Sequence, residues 1–324
     1  MSPEGGWIEN AEVYEALERL GPVLMDMVSS DHPSLAERAA YLASLGGKRI
    51  RPAMLFVAHG SGCTRIEVVR AAASVELIHL ASLYHDDIMD RGLLRRGFAS
   101  ANAKWGNATA MLTGTFLFLR AQALTEALGP RARKLAATSA AELCLGQLRE
   151  SENAYNTELP AEDHLEVIAL KTGSLFRLAL QLGALLGGVG RAETEALTRY
   201  ARHLGLAFQL SDDLLDIEGD AATTGKETLA DIRAGVYSLP WLLLIRSGKE
   251  SSEIVKRIFA RNRLSDGDVR EALTLLLCSD AIPRARDILA AQIRQGIDAL
   301  HFLSDRSAAN SLANLATSMA GRTR

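Results

Sequence analysis

The sequence predicts an all-α protein, a single large helical bundle with a central cleft between the helices that carry two DDxxD clusters. Three observations support this. Proline is sparse, 8 in 324 residues, while 48% of residues are hydrophobic and spread over the whole chain. Long apolar stretches run without internal proline, and strand signals are scarce. No Pro/Ser-rich linker divides the chain, and the two acidic clusters must converge across its middle, so one domain over residues 1–324 is expected.

Taken in order, Met1 to Asn10 lacks the basic and apolar regions of a signal peptide. Gly46-Gly47-Lys48-Arg49-Ile50-Arg51-Pro52 then sets three cations at the entry to an apolar segment. Helices are predicted over Val68 to Asp90, Ala108 to Leu128, Arg131 to Glu152, Glu162 to Leu186 and Glu193 to Ile217, within a total of ten or more. The central ones are apolar nearly all round, as core helices of a large bundle are. No solenoid-length repeat and no uninterrupted run of 18 apolar residues occurs.

Two aspartate clusters of identical spacing lie within these helices: Asp86-Asp87-Ile88-Met89-Asp90 and Asp212-Asp213-Leu214-Leu215-Asp216. Carboxylates in an apolar setting incur a desolvation cost, and like-charged neighbours raise one another's pKa, so six together need cations to stay ionised. Asp86 and Asp90 are one turn apart on one helix face, as are Asp212 and Asp216. Mg²⁺ takes a few carboxylates plus waters and substrate phosphates. Two facing helices with partial ligand sets would therefore hold a metal-bound di- or triphosphate between them. An EF-hand would require a central glycine and a terminal glutamate, which neither cluster has.

Basic residues suited to diphosphate flank the acidic ones. Lys48 and Arg51 lie in the glycine-rich segment, and Arg95-Arg96-Gly97 follows the first cluster. His79 lies seven positions before Asp86, two turns back on the same face, which directs its ring toward the aspartates rather than into the core. The segments Asn153 to Pro160 and Gly219 to Asp231 are expected to move, the second over bound diphosphate.

Net charge is −3, from 36 Lys and Arg against 39 Asp and Glu, which excludes a nucleic-acid surface. Cys63, Cys144 and Cys278 lie in or near apolar segments with no zinc spacing and suggest reduced, packed thiols in the cytoplasm. No stable membrane insertion is expected.

Motifs in this number and order resemble the trans-isoprenyl diphosphate synthases, the polyprenyl synthetase family. The resemblance runs from GGKRIRP through Glu76-Leu77-Ile78-His79, HDDIMD at His85 to Asp90, Arg95-Arg96-Gly97, Gly146-Gln147 and Lys171-Thr172-Gly173-Ser174-Leu175-Phe176. It continues through Phe208-Gln209-Leu210 with DDLLD, then Gly225-Lys226, Asp231 and Ser238-Leu239-Pro240. It implies the isoprenoid synthase fold and a prenyltransferase that joins isopentenyl diphosphate to an allylic diphosphate with three Mg²⁺ ions, usually as a homodimer. By the same resemblance Asp86, Asp90 and Asp212 bind Mg²⁺ directly, with Asp87, Asp213 and Asp216 as further or water-mediated ligands. Arg95, Lys171 and Lys226 hold the allylic diphosphate, while Lys48, Arg51, His79 and Arg96 hold that of isopentenyl diphosphate. Lys171, Thr172 and Gln209 sit near the allylic C–O bond, where oxygen dipoles steady a developing carbocation.

Product length is read from the turn before Asp86. In the family, bulky aromatics there close the pocket; Ala81 and Ser82 are small, so products of C20 or longer are expected, with Phe116 and Phe118 as floor residues or ordinary core. Tyr84 is unusual for its position. Three departures stand out: Val236 where a lysine commonly follows the glycine, Gly114-Thr115 for a usual Gly-Asp, and Arg91 at an often acidic position. Two alternatives fit less well. A class I terpene cyclase normally has one DDxxD and lacks GGKRIRP, and a non-catalytic subunit of a heteromeric synthase would be expected to lose motif aspartates.

Overall fold

The protein, described by a computed structural model, is seen at residues 6–218, 229–261 and 263–321. Helices dominate the described residues. The first six are α1 (Ala11–Met27), α2 (Pro33–Ser44), α3 (Ile50–His59), α4 (Ile66–Met89), α5 (Ala101–Trp105) and α6 (Asn107–Ala127). They are followed by α7 (Pro130–Glu152), α8 (Ala161–Ile168), a π-helical turn (Ala169–Gly173), α9 (Ser174–Gly187) and α10 (Arg191–Glu218). The remainder are α11 (Ala230–Arg233), α12 (Leu239–Ile245), α13 (Glu250–Phe259), α14 (Asp266–Leu277), α15 (Ala281–Ala299) and α16 (Arg306–Gly321). The expected helices are present, with one difference: the stretch read as a single helix from Glu162 to Leu186 is broken by the π turn.

The residues form two compact units, each drawn from three stretches of chain: Met1–Ala141, Leu175–Thr198 and Leu300–Asn314 in one, Glu142–Ser174, Arg199–Ala299 and Leu315–Arg324 in the other. Because the chain passes back and forth between them, no linker composition marks the division.

In the first unit α4 is the core element. It is buried at Val68 and Val69, from Ala71 through Ile78, and again at Leu80, Ala81, Ser82 and Tyr84, and packs most extensively against α6. A helix apolar on every side has no solvent face and must be enclosed. Each Leu, Ile or Phe so buried contributes about 1.5–3 kcal/mol. Tyr84 supplies the polar tie, its hydroxyl donating to the Arg38 carbonyl of α2. Gly183 and Gly187 bring α9 onto α3, since a Cβ at Gly183 would stand 2.3 Å from the Leu55 carbonyl oxygen.

In the second unit every residue of α12 is buried, and the helix starts at Ser238-Leu239-Pro240, where proline fits the first turn. Trp241 meets the edge of Phe259 at 5.5 Å, and Tyr237 stacks on the same ring at 4.6 Å. A Ser265–Asp268 capping box opens α14.

Two expectations need adjustment. Cys63 is buried, and burial pushes its thiol up to about 12, but Cys144 and Cys278 are exposed rather than packed. The joined run Ala161–Gly187 is long and apolar enough to cross a membrane, yet 72% of its apolar window is buried inside the protein, as in a core helix.

Candidate active site

The first aspartate cluster closes α4. Asp86 and Asp87 occupy its last turn and Asp90 caps it, its amide donating to the Asp86 carbonyl at 2.8 Å. Carboxylates at a helix C-terminus face the negative end of the macrodipole, which strengthens their demand for a cation. The chain meets that demand locally. Arg91 adopts a left-handed conformation (φ 53°) and turns the backbone back, with the Gly92 amide donating to the Asp87 carbonyl at 2.9 Å. A two-residue hairpin follows, β1 (Leu94–Arg95) and β2 (Phe98–Ala99), joined through Arg96 (φ 54°) and Gly97 (φ 80°). Two positive-φ residues in succession match the twist of a tight hairpin, and glycine makes the second one easy. The hairpin returns Arg95 to Asp87: Nε donates to Oδ1 at 2.9 Å, and Nη2 donates to the same oxygen. Asp87 is 1% exposed, and its Oδ2 is buried without a hydrogen-bond partner.

Around His79 the same unit gathers cations. Arg49, in a left-handed conformation before α3, donates to buried Glu76 and to the Ala43 carbonyl. The Arg51 guanidinium lies over the Phe176 ring at 4.8 Å. Arg96 donates to the carbonyls of Leu42 and Gly46, which ties the hairpin to the glycine-rich segment. Lys48 is exposed on that segment. Burial first, and then Arg51, Arg96, Arg49 and Arg95, hold the His79 imidazole well below the ordinary histidine range, so it is a neutral hydrogen-bonding group.

Ala81 is fully buried and Ser82 nearly so, its hydroxyl returned to the His79 carbonyl. Tyr84 points to α2. His85 accepts close packing from Gly114, stacks on Phe118 at 5.8 Å and lies 3.2 Å from the Met111 carbonyl. Phe118 thus supports His85, and Phe116 lies under the Arg120 guanidinium at 5.0 Å. Thr115 is exposed, its hydroxyl donating to the Met111 carbonyl.

The second cluster lies in the last turns of α10 and has a different setting. Asp212 and Asp216 are half-buried, and Asp213 is 9% exposed. The Thr172 hydroxyl donates to Gln209 Oε1 at 3.1 Å, and Gln209 Nε2 donates to Asp213 Oδ1 at 3.0 Å. Asp213 Oδ2 is buried without a hydrogen-bond partner, 3.9 Å from His164 Nε2. Lys171 donates to Glu150. The π turn that carries Lys171 and Thr172 lies against Gly146 of α7, where a Cβ would stand 2.6 Å from the Lys171 nitrogen. Such turns recur at functional sites because they redirect side chains out of helical register. Glu150, His164, Lys171, Thr172, Gln209, Asp213, Asp231, Val236 and Ser238 line one pocket.

The geometry thus brings Arg51, His79, Arg95 and Arg96 near one another in the first unit, and Lys171, Thr172, Gln209 and Asp213 together in the second. Lys226 lies outside the described residues. Among the described residues no group of three His, Cys, Asp or Glu side chains gathers closely enough to hold a metal ion by itself.

The polyprenyl synthetase family model matches residues 32–276. The chain belongs to that family. It is 38% identical over 283 residues to a nonaprenyl diphosphate synthase of Mycobacterium tuberculosis, covering 87% of this chain and 84% of that one. Among solved structures, a decaprenyl diphosphate synthase from Rhodobacter capsulatus superposes with a TM-score of 0.90 at 31% identity, covering 97% of this chain and 98% of the other. A polyprenyl synthase from Caulobacter crescentus, complexed with calcium and isoprenyl diphosphate, gives 0.88 at 34% identity, covering 97% and 96%. The resemblance carried by the motifs is borne out for the family, the all-α isoprenoid synthase fold and the enzyme class, a trans-prenyltransferase.

Within a polyprenyl synthetase, two pocket residues escaped the sequence reading. Glu150 lies one turn beyond Gly146 on α7 and pairs with Lys171, a spacing visible once Gly146-Gln147 had been noted. His164, on α8, gave no sequence signal.

Proposed function

We propose that this polyprenyl synthetase condenses isopentenyl diphosphate with a C5–C20 allylic diphosphate to give an all-trans polyprenyl diphosphate of C20 or longer. The observation that carries the reading is the pair Asp87 and Asp213: each is buried at the same place in its motif, and each has one oxygen bonded and the other unpartnered. A buried anionic oxygen left unpaired costs several kcal/mol and fits a site completed by a cation. The residues therefore suit Mg²⁺, with three ions served by Asp86, Asp87 and Asp90 and by Asp212, Asp213 and Asp216. The bound ions supply Lewis-acid neutralisation of charge on the departing diphosphate.

The remaining work falls to the chain. Arg95 and Lys171 hold the allylic diphosphate, with Lys226 as a further contact. Each already has a carboxylate partner, Asp87 and Glu150 respectively, so both cations are kept ordered before substrate arrives. Thr172 and Gln209 are linked by a hydrogen bond and turn oxygen dipoles toward the carbon that becomes electron-poor. Lys48, Arg51, Arg96 and neutral His79 take the diphosphate of isopentenyl diphosphate. Charge develops on the leaving oxygens, so preorganised cations favour the transition state over the ground state.

One functional domain spans both units, since the family match crosses them. A homodimer is supported by the exposed apolar residues Met111, Leu112 and Leu119 on α6, and a cytoplasmic protein without stable membrane insertion by the burial of the apolar run. Ala81 and Ser82 line the chain-length pocket, a reading supported by relatives named for long products.

The test is product sizing after incubation of purified protein with Mg²⁺, labelled isopentenyl diphosphate and C5, C10, C15 or C20 primers. Products of C20 or longer are expected, and shorter ones from Ala81→Phe at sustained turnover. A C15 end point overturns the length assignment. No elongation by folded protein overturns the function.

A further inference from the structure

The pocket around Asp213 contains a group that none of these roles uses. His164 projects from α8 and is 12% exposed, and its Nε2 is buried without a hydrogen-bond partner. The facing atom, Asp213 Oδ2, is likewise buried and unpartnered. The 3.9 Å between them exceeds hydrogen-bond reach, yet suits one water oxygen at about 2.8 Å from each. The other oxygen of Asp213 is already held by Gln209, and Gln209 by Thr172. Asp213 is therefore gripped on one side by an amide and faced on the other by an imidazole.

We propose that His164 is a positioning residue for the second aspartate cluster. Its Nε2–H donates to a water that in turn donates to one lone pair of Asp213 Oδ2, which fixes the carboxylate plane and leaves the other lone pair of that oxygen for a cation. Asp213 thereby presents the same oxygens to each incoming metal–diphosphate complex. Partners of this kind, one step removed from the ligands, set carboxylate orientation and affinity wherever carboxylates bind metals. His164 is thus the counterpart of Arg95 in the first cluster, an imidazole where the other site has a guanidinium. The inference rests on the elongase reading only for what the metal complex carries.

The experiment compares wild type with His164→Phe, which keeps ring volume but has no donor, and His164→Gln, which restores a donor. Binding of inorganic pyrophosphate at fixed Mg²⁺ is measured by calorimetry, together with KM for each substrate and thermal stability. For His164→Phe, pyrophosphate affinity and the Mg²⁺ concentration for half-maximal turnover each worsen about tenfold. The KM for isopentenyl diphosphate stays within about twofold and His164→Gln within about threefold of wild type on every readout. Unchanged pyrophosphate affinity in His164→Phe overturns the proposal. So does a variant that loses thermal stability and worsens both substrates equally, since that marks a purely structural residue. Should His164→Phe fail to fold, His164→Asn, too short to reach the same water, replaces it with the same expectation. The calorimetric arm requires no turnover, so wild-type protein that binds Mg²⁺–pyrophosphate but elongates nothing overturns the elongase reading alone.

Discussion

Asp87 and Asp213 hold the same place in their motifs and are both buried, but the chain partners them by different means. Arg95 gives Asp87 a permanent positive charge through two donors to one oxygen. Asp213 receives a neutral amide from Gln209 and faces an imidazole across 3.9 Å. Asp87 thus carries its counter-charge in the fold, whereas Asp213 is held by a neutral group.

The strongest test of this comparison is to remove one aspartate from each side. Asp86→Ala and Asp212→Ala are each expected to lower turnover by about 10²–10³-fold or more. Under the proposed function the two aspartates act in one transition state, and the double variant should then fall far short of the product of the two losses. Steady-state elongation kinetics decide. A cluster whose aspartate can be removed with near-normal turnover takes no part in the shared site.

Next in size is the effect on stability. Arg95→Ala leaves Asp87 buried and unpaired, at a cost on the order of 3 kcal/mol. Gln209→Ala removes the neutral donor to Asp213 and the acceptor of the Thr172 hydroxyl, at about 1–3 kcal/mol. Urea unfolding measures both. Asp87→Asn in the Arg95→Ala background should recover most of the loss, and its failure to do so would mean that the arginine stabilises through packing rather than charge.

Much of this was legible in the sequence, and the exceptions have a common cause. Helical periodicity alone set Asp86 with Asp90 and Asp212 with Asp216, and the apolar setting required cations. The sequence did not show that Asp87 is the buried member or that Arg95 folds back onto it. That depends on the left-handed Arg91 and on the Arg96-Gly97 turn, neither visible in hydrophobic pattern. The break between α8 and α9 was also hidden, because Ala-Leu-Lys-Thr-Gly has no strong local preference for a π turn. Glu150 and His164 gain their partners only through packing between helices that are distant in sequence. Local spacing reveals ligands on one helix; a side chain that orients a ligand from another helix leaves no such trace.

The cations gathered around His79 also predict a pH effect on the first side. Burial and the surrounding arginines depress the folded-state pKa of His79 below its ordinary 6.5. As pH falls below about 6.5 the unfolded chain takes up a proton that the folded chain refuses, so stability declines on the acid side and is unaffected by this group above it. Chemical denaturation across pH should show a shallower acid limb for His79→Gln than for wild type. Parallel curves would mean that the arginines do not act on His79 as the geometry implies.

The smallest expected effects come from two of the three departures, and they differ because the structure places them differently. Val236 lines the pocket with Lys171, Glu150 and Asp213, whereas Thr115 is exposed on α6 with its hydroxyl turned back to the Met111 carbonyl. A lysine at position 236 adds a cation to a pocket in which Lys171 is already paired with Glu150 and Asp213 is held by the neutral amide of Gln209. Val236→Lys should therefore lower the allylic KM by about two- to fivefold, the size expected of a partly solvated charge. Thr115→Asp touches nothing in the pocket and should change neither KM by more than about twofold. The reverse result, a large effect at 115 and none at 236, would show that the second side is not limited by missing positive charge. The asymmetry between Asp87 and Asp213 would then be a matter of packing alone.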